Sequence, residues 1–287
     1  MTITTADKVG IVGLGAMGLP IVRYLTEAGF TVLCRDLSQD ALDQAVALGG
    51  TAVATAAELA PCRALLVFVP TDEDVAGVAK EFAVVAEPGA IFVIHASVRT
   101  QTCKELTAEL APAGIKVVDA ALTGGVRGAR DGEINLMVGG DAEDVAALAP
   151  VFAPWTSHVN HLGPSGNGQI GKTVNNMIHW GEIVTIVEAL SLGLELGITP
   201  EQMRPALANG PTDSRTLHDL EDMRFTWYEK DTDNALAMAE QIDRTLYFTP
   251  IVREFMRGID VENVGALLTG DRILELRELL LAAEPRS

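Results

Sequence analysis

The chain has 287 residues, of which 48% are hydrophobic and 21% are charged. This composition is that of an ordinary globular protein of about two domains, at ~100 to 200 residues each, and it argues against a disordered chain. The formal net charge is −18. Nucleic-acid binding needs clustered cations that displace phosphate counterions, so we expect no nucleic-acid partner.

Membrane insertion and export are not expected either. The longest unbroken apolar run extends only from Ala64 to Val69, whereas a membrane-spanning helix needs ~18 or more apolar residues. The start of the chain, MTITTADK, contains no apolar signal core. The three cysteines follow no C-x-x-C spacing, so neither a disulfide framework nor a metal site is predicted. These features predict a cytoplasmic protein.

Short apolar runs alternate with helical segments from Val9 to about Leu162, and glycine or proline separates them. Most of the runs are apolar throughout, as strands are when helices cover both faces of a parallel sheet. We therefore predict an α/β domain over residues 1–162, built on a doubly wound parallel sheet of the Rossmann type. The predicted strands are Val9–Val12, Thr31–Cys34, Thr51–Val53, Ala64–Val69, Ile91–His95, Lys116–Asp119, Ile134–Val138 and Val159–Leu162.

The pattern changes after Gly163-Pro164-Ser165-Gly166. From there to Leu280 a 3.6-residue periodicity persists and no strand-like alternation occurs, so we predict an all-helical domain over residues 163–287. Its first helix is expected to run from about Ile170 to Leu196 as a long spine, and Gly197 is the expected stop. An apolar stripe on this helix is expected to bury against a second subunit. The stripe consists of Ile178, Val184, Ile186 and Val187.

A glycine-rich segment lies between the first predicted strand and the first helix. It reads Gly13-Leu14-Gly15-Ala16-Met17-Gly18, which is the G-x-G-x-x-G pattern. The first glycine permits a tight turn, the second lets the backbone approach a pyrophosphate, and the third lets helix and strand pack closely. The context predicts a dinucleotide site with its phosphates at the helix N-terminus. A glycine-rich turn without a ligand is the alternative.

The end of the second strand bears on which dinucleotide is bound. NAD enzymes usually place an acidic residue there for the ribose hydroxyls, and Cys34 occupies that position in this sequence. Arg35 can instead face a 2′-phosphate, which favours NADP(H). Asp36 follows directly, so a strand that ends one residue later restores the preference for NAD(H).

A second group of polar residues lies at the beginning of the spine helix. Lys172 falls in its first turn, where the positive end of the helix dipole disfavours the ammonium form and lowers the lysine pKa. Such a lysine can exchange a proton with a substrate oxygen. Asn175 and Asn176 follow, and Asn176 falls on the same helix face as Lys172, so we assign both asparagines to substrate binding. An exposed lysine beside an asparagine pair that caps a loop is the alternative.

Four ordered segments resemble the β-hydroxyacid dehydrogenase family, which includes 3-hydroxyisobutyrate dehydrogenase and tartronate semialdehyde reductase. The segments are Gly13 to Gly18, Asp119 to Gly125 with Gly128-Ala129 and Gly132, Gly166 to Asn176, and Lys230-Asp231 ahead of Ala235-Leu236. The resemblance extends over nearly the whole chain. It implies a homodimer or homotetramer, with Lys172 as the catalytic acid/base and Asn176 as a substrate ligand. It also implies that Lys230 reaches the cofactor from the helical domain.

The same resemblance assigns a substrate carboxylate site to Thr123-Gly124-Gly125, which matches the S-G-G of the family. Consecutive glycines can turn backbone N–H groups toward an anion, and the threonine hydroxyl adds a donor. Arg127 and Arg130 follow and can supply local positive charge. A flexible glycine loop is the alternative.

The cofactor site is completed from two further segments. Ser97 stands in the place of a threonine that contacts the cofactor in the family, and Val69 and Pro70 end the fourth apolar run. His179 lies on the Lys172 face but is not expected there. A helix histidine with its hydrogen bonds satisfied is the simpler interpretation, and a residue lining the substrate pocket is the other.

These features predict an NAD(P)-dependent oxidoreductase that interconverts a small β-hydroxy acid and its semialdehyde or ketone. Its partner would be a small carboxylate substrate. Two alternatives are considered. Imine reductases share the architecture but usually replace the catalytic lysine, so Lys172 argues against them. A non-catalytic dinucleotide sensor is disfavoured by the intact Lys172 and Asn176.

Overall fold

The structure, a computed structural model, describes residues 2–269. The chain forms two compact units, of which the first ends at Lys172 and the second begins at Thr173. The division falls later than the expected boundary between residues 162 and 163. The reason is local, because the first turn of the long helix is hydrogen-bonded to the sheet of the first unit.

The first unit is built on one sheet of eight strands in the order β3-β2-β1-β4-β5-β6-β7-β8. Each predicted strand is present, and the predicted fold class is confirmed. The strands are β1 (Lys8–Val12), β2 (Thr31–Arg35), β3 (Thr51–Ala52), β4 (Cys62–Val67), β5 (Ile91–Ile94), β6 (Lys116–Thr123), β7 (Ile134–Gly139) and β8 (Thr156–His161).

Helices cover both faces of this sheet and bury two apolar cores. One core includes Ile11, Ile21 and Leu136, and the other includes Leu65 and Phe92. Burial on both faces explains why the strand sequences are apolar throughout. The helices of this unit are α1 (Gly18–Glu27), α2 (Gln39–Ala47), α3 (Asp72–Val85), α4 (Thr100–Leu110), α5 (Gly125–Asp131), α6 (Ala142–Ala147) and α7 (Ala149–Phe152).

One strand runs against the predicted direction. β7 pairs with β6 in the antiparallel sense, with Asp119 opposite Gly139 and Thr123 opposite Asn135, so the expectation of an all-parallel sheet is wrong at this pair. The connection between the two strands contains only the short helix α5. A parallel pair needs a crossover of a dozen or more residues, so the chain turns back instead. Residues at the end of β6 therefore face the beginning of β7.

The order of the strands reverses between β1 and β4, which are neighbours although β2 and β3 lie between them in sequence. At such a switch point the connections leave in opposite directions and open a crevice at the carboxyl ends of the strands. Gly13 follows β1 directly, and Phe68 follows β4. The crevice therefore lies beside the glycine-rich turn.

The second unit is helical throughout its described part, residues 173–269. The long helix α8 enters it from the first unit and ends before Gly197, whose φ of 93° is the left-handed conformation that terminates a helix. The helices are α8 (Asn167–Glu195), α9 (Pro200–Leu207), α10 (Arg215–Asp219), α11 (Tyr228–Glu240), α12 (Thr249–Met256) and α13 (Val261–Thr269).

The predicted intersubunit stripe on α8 is only partly available to a partner. Val184 and Val187 are buried in the core of their own unit, and Ile186 packs against that core. Ile178 is 60% exposed. The helix is long and apolar enough to cross a membrane by length and composition alone. The core helix of a soluble protein passes the same test, and the apolar window of α8 is 39% buried.

The core of the first unit contains a neutral histidine. His95 follows β5, and its ring stacks on Phe68 with 4.4 Å between centroids. Nδ1 lies 2.7 Å from the carbonyl oxygen of Ala120, so it carries the proton and donates. Burial lowers the pKa of His95 to about 4, although the hydrogen bond to Ala120 acts in the opposite direction. The folded protein therefore resists protonation that the unfolded chain accepts.

This histidine predicts a loss of stability in acid. The ordinary His pKa is 6.5, so between pH 6.5 and 4 the unfolded chain binds the extra proton first and the free energy of unfolding falls. For His95 this loss amounts to about 3 kcal/mol. In urea unfolding at several pH values, the free energy of unfolding should fall less between pH 6.5 and 4 for His95→Phe than for the wild type.

The control is His158→Gln, because His158 is exposed and its replacement should leave this fall unchanged. The buried carboxyl of Asp119, with its pKa raised by burial to about 6, titrates in the opposite sense in every variant, so the difference from the wild type isolates His95. An equal fall in the free energy of unfolding of His95→Phe and the wild type would show that His95 does not cause the loss of stability in acid.

Candidate active site

The glycine-rich turn has the shape that a pyrophosphate requires. Gly13 has a φ of 92°, and a Cβ there would lie 2.8 Å from the backbone carbon of Phe68. A Cβ on Gly18 would overlap the carbonyl oxygen of Gly13. Gly15, by contrast, has no atom within 4 Å of where its Cβ would be. The first and third glycines thus let β1, β4 and α1 approach closely, and the second leaves one side open.

Helix α1 begins at Gly18, at the end of this turn. Its N-cap residue, Met17, provides no side-chain hydrogen bond to the first turn. The first backbone N–H groups of a helix have no acceptor within the helix and carry the positive end of its dipole. The N-terminus of α1 therefore offers donors to a phosphate at the turn.

Asp36, rather than Arg35, lies against the glycine-rich turn. Strand β2 extends through Arg35, one residue beyond the predicted end. The Asp36 carboxylate accepts hydrogen bonds from the backbone N–H of Leu14 at 2.6 Å and from that of Ser38 at 2.8 Å. The Arg35 guanidinium, 23% exposed, pairs instead with Glu81 of α3 at 2.6 Å.

The loops after β4 and β5 carry Val69, Pro70 and Ser97, and one carboxylate joins the two loops. Oδ1 of Asp72 accepts from the backbone N–H of Arg99 at 3.0 Å and from the Thr102 hydroxyl at 2.5 Å. The predicted cofactor residues of both loops therefore lie at the carboxyl ends of neighbouring strands, on the same edge as the glycine-rich turn.

The predicted carboxylate site lies at the end of β6. Gly124 and Gly125 have φ values of 110° and 61°, and no atom lies within 4 Å of a Cβ built on Gly125. Helix α5 begins at Gly125, so its first N–H groups have no acceptor within the helix. The Thr123 hydroxyl donates to the carbonyl oxygen of Asn135 at 3.2 Å and accepts from the Asn135 side chain at 3.0 Å. Arg130 pairs with Asp131 at 2.7 Å.

The first turn of α8 is attached to β6 by a buried carboxylate, and Lys172 follows in the second turn, because the helix begins at Asn167 and not at about Ile170. Asp119 is fully buried and accepts from the backbone N–H of Gly166 at 2.6 Å and of Gln169 at 3.0 Å. Burial raises the pKa of Asp119 to about 6, and the N–H donors act in the opposite direction. From the sequence, Asp119 was expected to end a strand and to open one of the segments that resemble the family, and no positioning role was predicted for it. Its signal was a carboxylate inside an otherwise apolar run.

Gln169 connects the same turn to the cofactor loop after β5. Its buried side chain donates to the carbonyl oxygen of Ala96 at 2.9 Å and accepts from the backbone N–H of Val98 at 3.3 Å. These two contacts flank Ser97. Gln169 was also missed from the sequence, because nothing in its local pattern distinguishes it from other residues of the helix.

Close backbone packing holds α8 on the sheet. A Cβ on Gly168 would lie 2.5 Å from the carbonyl oxygen of Met137 and 2.7 Å from Oδ2 of Asp119. A Cβ on Gly139 would lie 2.6 Å from Oδ1 of Asp119. Only glycine permits this approach, so the helix reaches Lys172 directly over β6 and β7.

The remaining predicted residues belong to the second unit. Asn175 donates from its side chain to Oδ1 of Asn176 at 3.1 Å, and Lys230 lies in the first turn of α11. His179 bonds through Nδ1 to the Thr216 hydroxyl at 3.3 Å, which fits a helix histidine with a satisfied ring nitrogen. The helix register alone places Lys172, Asn176 and His179 on one face of α8. Within residues 2–269 no cluster of metal-ligating side chains occurs.

Comparison with known proteins shows the family of the chain. Residues 8–163 match the family of the NAD binding domain of 6-phosphogluconate dehydrogenase. The chain belongs to the β-hydroxyacid dehydrogenase family. Residues 166–267 match the family described as NAD-binding of NADP-dependent 3-hydroxyisobutyrate dehydrogenase. The family and its NAD(P)-dependent oxidoreductase class, both predicted from the sequence, are confirmed.

Individual relatives support the family, and solved structures share the fold. The NAD-dependent L-serine dehydrogenase of Pseudomonas aeruginosa is 30% identical over 67% of this chain and 65% of its own length. The L-threonate dehydrogenase of Cupriavidus necator is 30% identical over 72% of this chain and 71% of its own. The Mycobacterium tuberculosis 3-hydroxyisobutyrate dehydrogenase structure with L-serine has a TM-score of 0.83 at 22% identity, over 97% of this chain and 99% of that one. Imine reductases share the fold at 15 to 17% identity.

Replacement of Asp119 tests how Lys172 is positioned. Asp119→Asn places an amide N–H group against backbone N–H donors, so we expect a loss of about 2 kcal/mol in the free energy of unfolding. We also expect a fall in turnover of about tenfold or more, because a small displacement of a catalytic group is costly. NAD(H) affinity should stay near that of the wild type, since the glycine-rich turn is untouched.

Chemical denaturation, cofactor titration and initial rates on the same preparation check this prediction. Asp222→Asn, at an exposed position, is the matched control. Unchanged turnover in Asp119→Asn would show that the carboxylate does not position the catalytic helix.

Proposed function

We propose that this protein transfers hydride reversibly between NAD(P) and a short β-hydroxy acid, which becomes its semialdehyde or ketone. The observation that carries the proposal is the attachment to β6 of the first turn of α8, which leads into Lys172. One buried carboxylate, Asp119, holds this turn on the strand that ends in the Thr123-Gly124-Gly125 loop. The glycine-rich turn lies on the same sheet edge.

Lys172 is the proposed acid/base. The bound nicotinamide supplies the hydride acceptor or donor, and the protein handles the accompanying proton. Lys172 takes the proton from the substrate hydroxyl during oxidation and returns it during reduction. Lys172 lies in the second turn of α8, beyond the first turn to which the helix-dipole effect is confined. Asn175 and Asn176, one turn further along α8, are proposed to bind the substrate.

The Thr123-Gly124-Gly125 loop is proposed to bind the substrate carboxylate. It offers backbone N–H groups and a hydroxyl in an open part of the surface. These donors attract an anion locally, although the whole chain carries a charge of −18. L-serine and L-threonate, the substrates that name two relatives, are both hydroxy acids, which supports a short hydroxy carboxylate as the substrate class.

For the cofactor we propose a preference for NAD(H), the reverse of the expectation based on Arg35. The Asp36 carboxylate lies at the Leu14 N–H, where it can accept from a ribose hydroxyl and would repel a 2′-phosphate. Arg35 is held by Glu81. Strand β2 ends one residue later than predicted, which supports Asp36 as the residue that contacts the ribose.

The proposal includes a cytoplasmic homodimer or homotetramer without nucleic-acid or membrane partners. Exposed apolar side chains on α8 and α12 support an assembly, among them Ile178 and Ile251. An imine reductase activity and a non-catalytic dinucleotide sensor are the competing outcomes. Lys172 disfavours both.

Replacement of the lysine tests the catalytic assignment. Lys172→Ala removes the only group proposed to exchange the hydroxyl proton, so kcat should fall by about 10² to 10⁴. The dissociation constant of NADH should change by less than about twofold, because the dinucleotide site is separate from this side chain. Initial rates with a short β-hydroxy acid and fluorescence titration with NADH measure the two effects.

The control for this pair of measurements is Lys80→Ala, at an exposed position of α3. A Lys172→Ala enzyme with the kcat of the wild type would remove the acid/base role. Loss of NADH binding in the same variant would indicate a structural defect instead.

Replacement of Asp36 tests the cofactor preference. The wild type should bind NADH at least about tenfold more tightly than NADPH. Asp36→Asn should weaken NADH binding by about tenfold, because the ribose loses a charged acceptor. The ratio of the dissociation constants of NADPH and NADH should therefore decrease. Asp40→Asn, on the exposed side of α2, is the control. Tighter binding of NADPH by the wild type would contradict this preference and favour the role first given to Arg35.

A further inference from the structure

A line of three polar side chains crosses β8, β7 and β6 and ends at the proposed carboxylate site. The Asn160 side chain donates to Oδ1 of Asn135 at 2.6 Å and to the carbonyl oxygen of Leu136 at 3.1 Å. The Asn135 side chain donates in turn to the Thr123 hydroxyl at 3.0 Å. None of these contacts is needed to form the sheet, whose ladders use backbone groups.

The line lies on the face of the sheet that α8 covers. Ile134, Leu136 and Val138 point into the core on the other face, so Asn135 and Met137 share the α8 face. The Met137 carbonyl oxygen lies at Gly168, and its sulfur lies 3.1 Å from where a Cβ of Gly171 would be. The helix therefore contacts Met137 between Gly168 and Gly171. Asn135 lies two residues before Met137 on the same face of β7, opposite Thr123 at the end of β6.

The direction of each hydrogen bond follows from its neighbour. Oδ1 of Asn135 accepts from Asn160, so the amide nitrogen of Asn135 is the atom turned toward Thr123. The Thr123 hydroxyl oxygen accepts from this amide, so the Thr123 O–H group is left to act as a donor. In the structure that proton goes to the Asn135 carbonyl oxygen at 3.2 Å, the longest contact of the group.

A carboxylate at the loop is a better acceptor for this proton than a peptide carbonyl. Charge-assisted hydrogen bonds are shorter and stronger than neutral ones, and a hydroxyl that accepts from an amide is polarised into a stronger donor. When the Thr123 hydroxyl acts as a donor, the Thr123-Gly124-Gly125 loop presents only hydrogen-bond donors to the substrate. A carboxamide in the same place would turn an N–H group toward donors or leave it unpaired.

We infer that Asn135 and Asn160 are positioning residues that hold the Thr123 hydroxyl as a donor to the substrate carboxylate, and that they make the site select carboxylates over neutral analogues. The inference rests on the proposed function, since it concerns the site given there to the carboxylate. It assigns to β7 and β8 a part in substrate selection.

The test compares a β-hydroxy acid with its carboxamide as substrates. Asn135→Leu keeps the side-chain size and removes the amide. It should raise KM for the acid about tenfold with kcat within about twofold, and should leave kcat/KM for the carboxamide unchanged. Asn160→Ala should shift KM for the acid in the same direction by a smaller factor. In a Thr123→Val background, Asn135→Leu should have no further effect on KM for the acid, because both act through one hydroxyl.

Ser157→Ala, on the exposed β8 strand, is the control and should leave both substrates unchanged. An equal fall in kcat/KM for acid and carboxamide in Asn135→Leu would indicate a merely structural role and overturn the inference. So would an additive effect of Asn135→Leu and Thr123→Val.

Failure of the proposed function can be distinguished from failure of this inference. If the wild type turns over no β-hydroxy acid, the same acid and carboxamide are titrated calorimetrically into the NADH-loaded protein. Tighter binding of the acid by the wild type, lost in Asn135→Leu, would support the inference while the proposed reaction fails. Equal binding of the two compounds by the wild type would overturn the inference itself.

Discussion

The buried carboxylate of Asp119 is the contact on which the arrangement of this site depends. It lies inside an apolar sheet and accepts from backbone N–H groups at the start of α8, so it attaches the beginning of the helix to β6. An unpaired charge at this depth would be costly, and the N–H donors are what makes it tolerable. The charge and the helix terminus therefore stabilise each other.

Several features of the chain follow from this contact. Gly139 and Gly168 are needed because α8 approaches the sheet to within backbone contact. Gln169, fixed by the same turn, reaches the loop that carries Ser97. The antiparallel return of β7 places Asn135 beside Thr123 on the face that α8 covers. The start of α8 thus fixes the positions of the loop that carries Ser97, the Thr123-Gly124-Gly125 loop and Lys172 relative to one another.

The sequence predicted the fold well because buried strands and glycine-rich turns leave local patterns. It did not predict the direction of β7, since strand periodicity carries no information on pairing direction. The end of β2 lies one residue later than predicted, and Asp36 contacts the glycine-rich turn through the Leu14 N–H. Asp119 and Gln169 were missed because their partners lie far away in the chain. Val184 and Val187 were assigned to a subunit interface because periodicity does not tell one apolar partner from another.

The most direct measurement of the central claim is the rate of NADH formation by the wild type over a panel of short β-hydroxy acids, with cyclic imines and NADH assayed in parallel for NAD formation. We expect saturable oxidation of at least one β-hydroxy acid to a carbonyl product and no comparable reduction of the imines. Tight NADH binding together with imine reduction, and no turnover of any β-hydroxy acid, would contradict it.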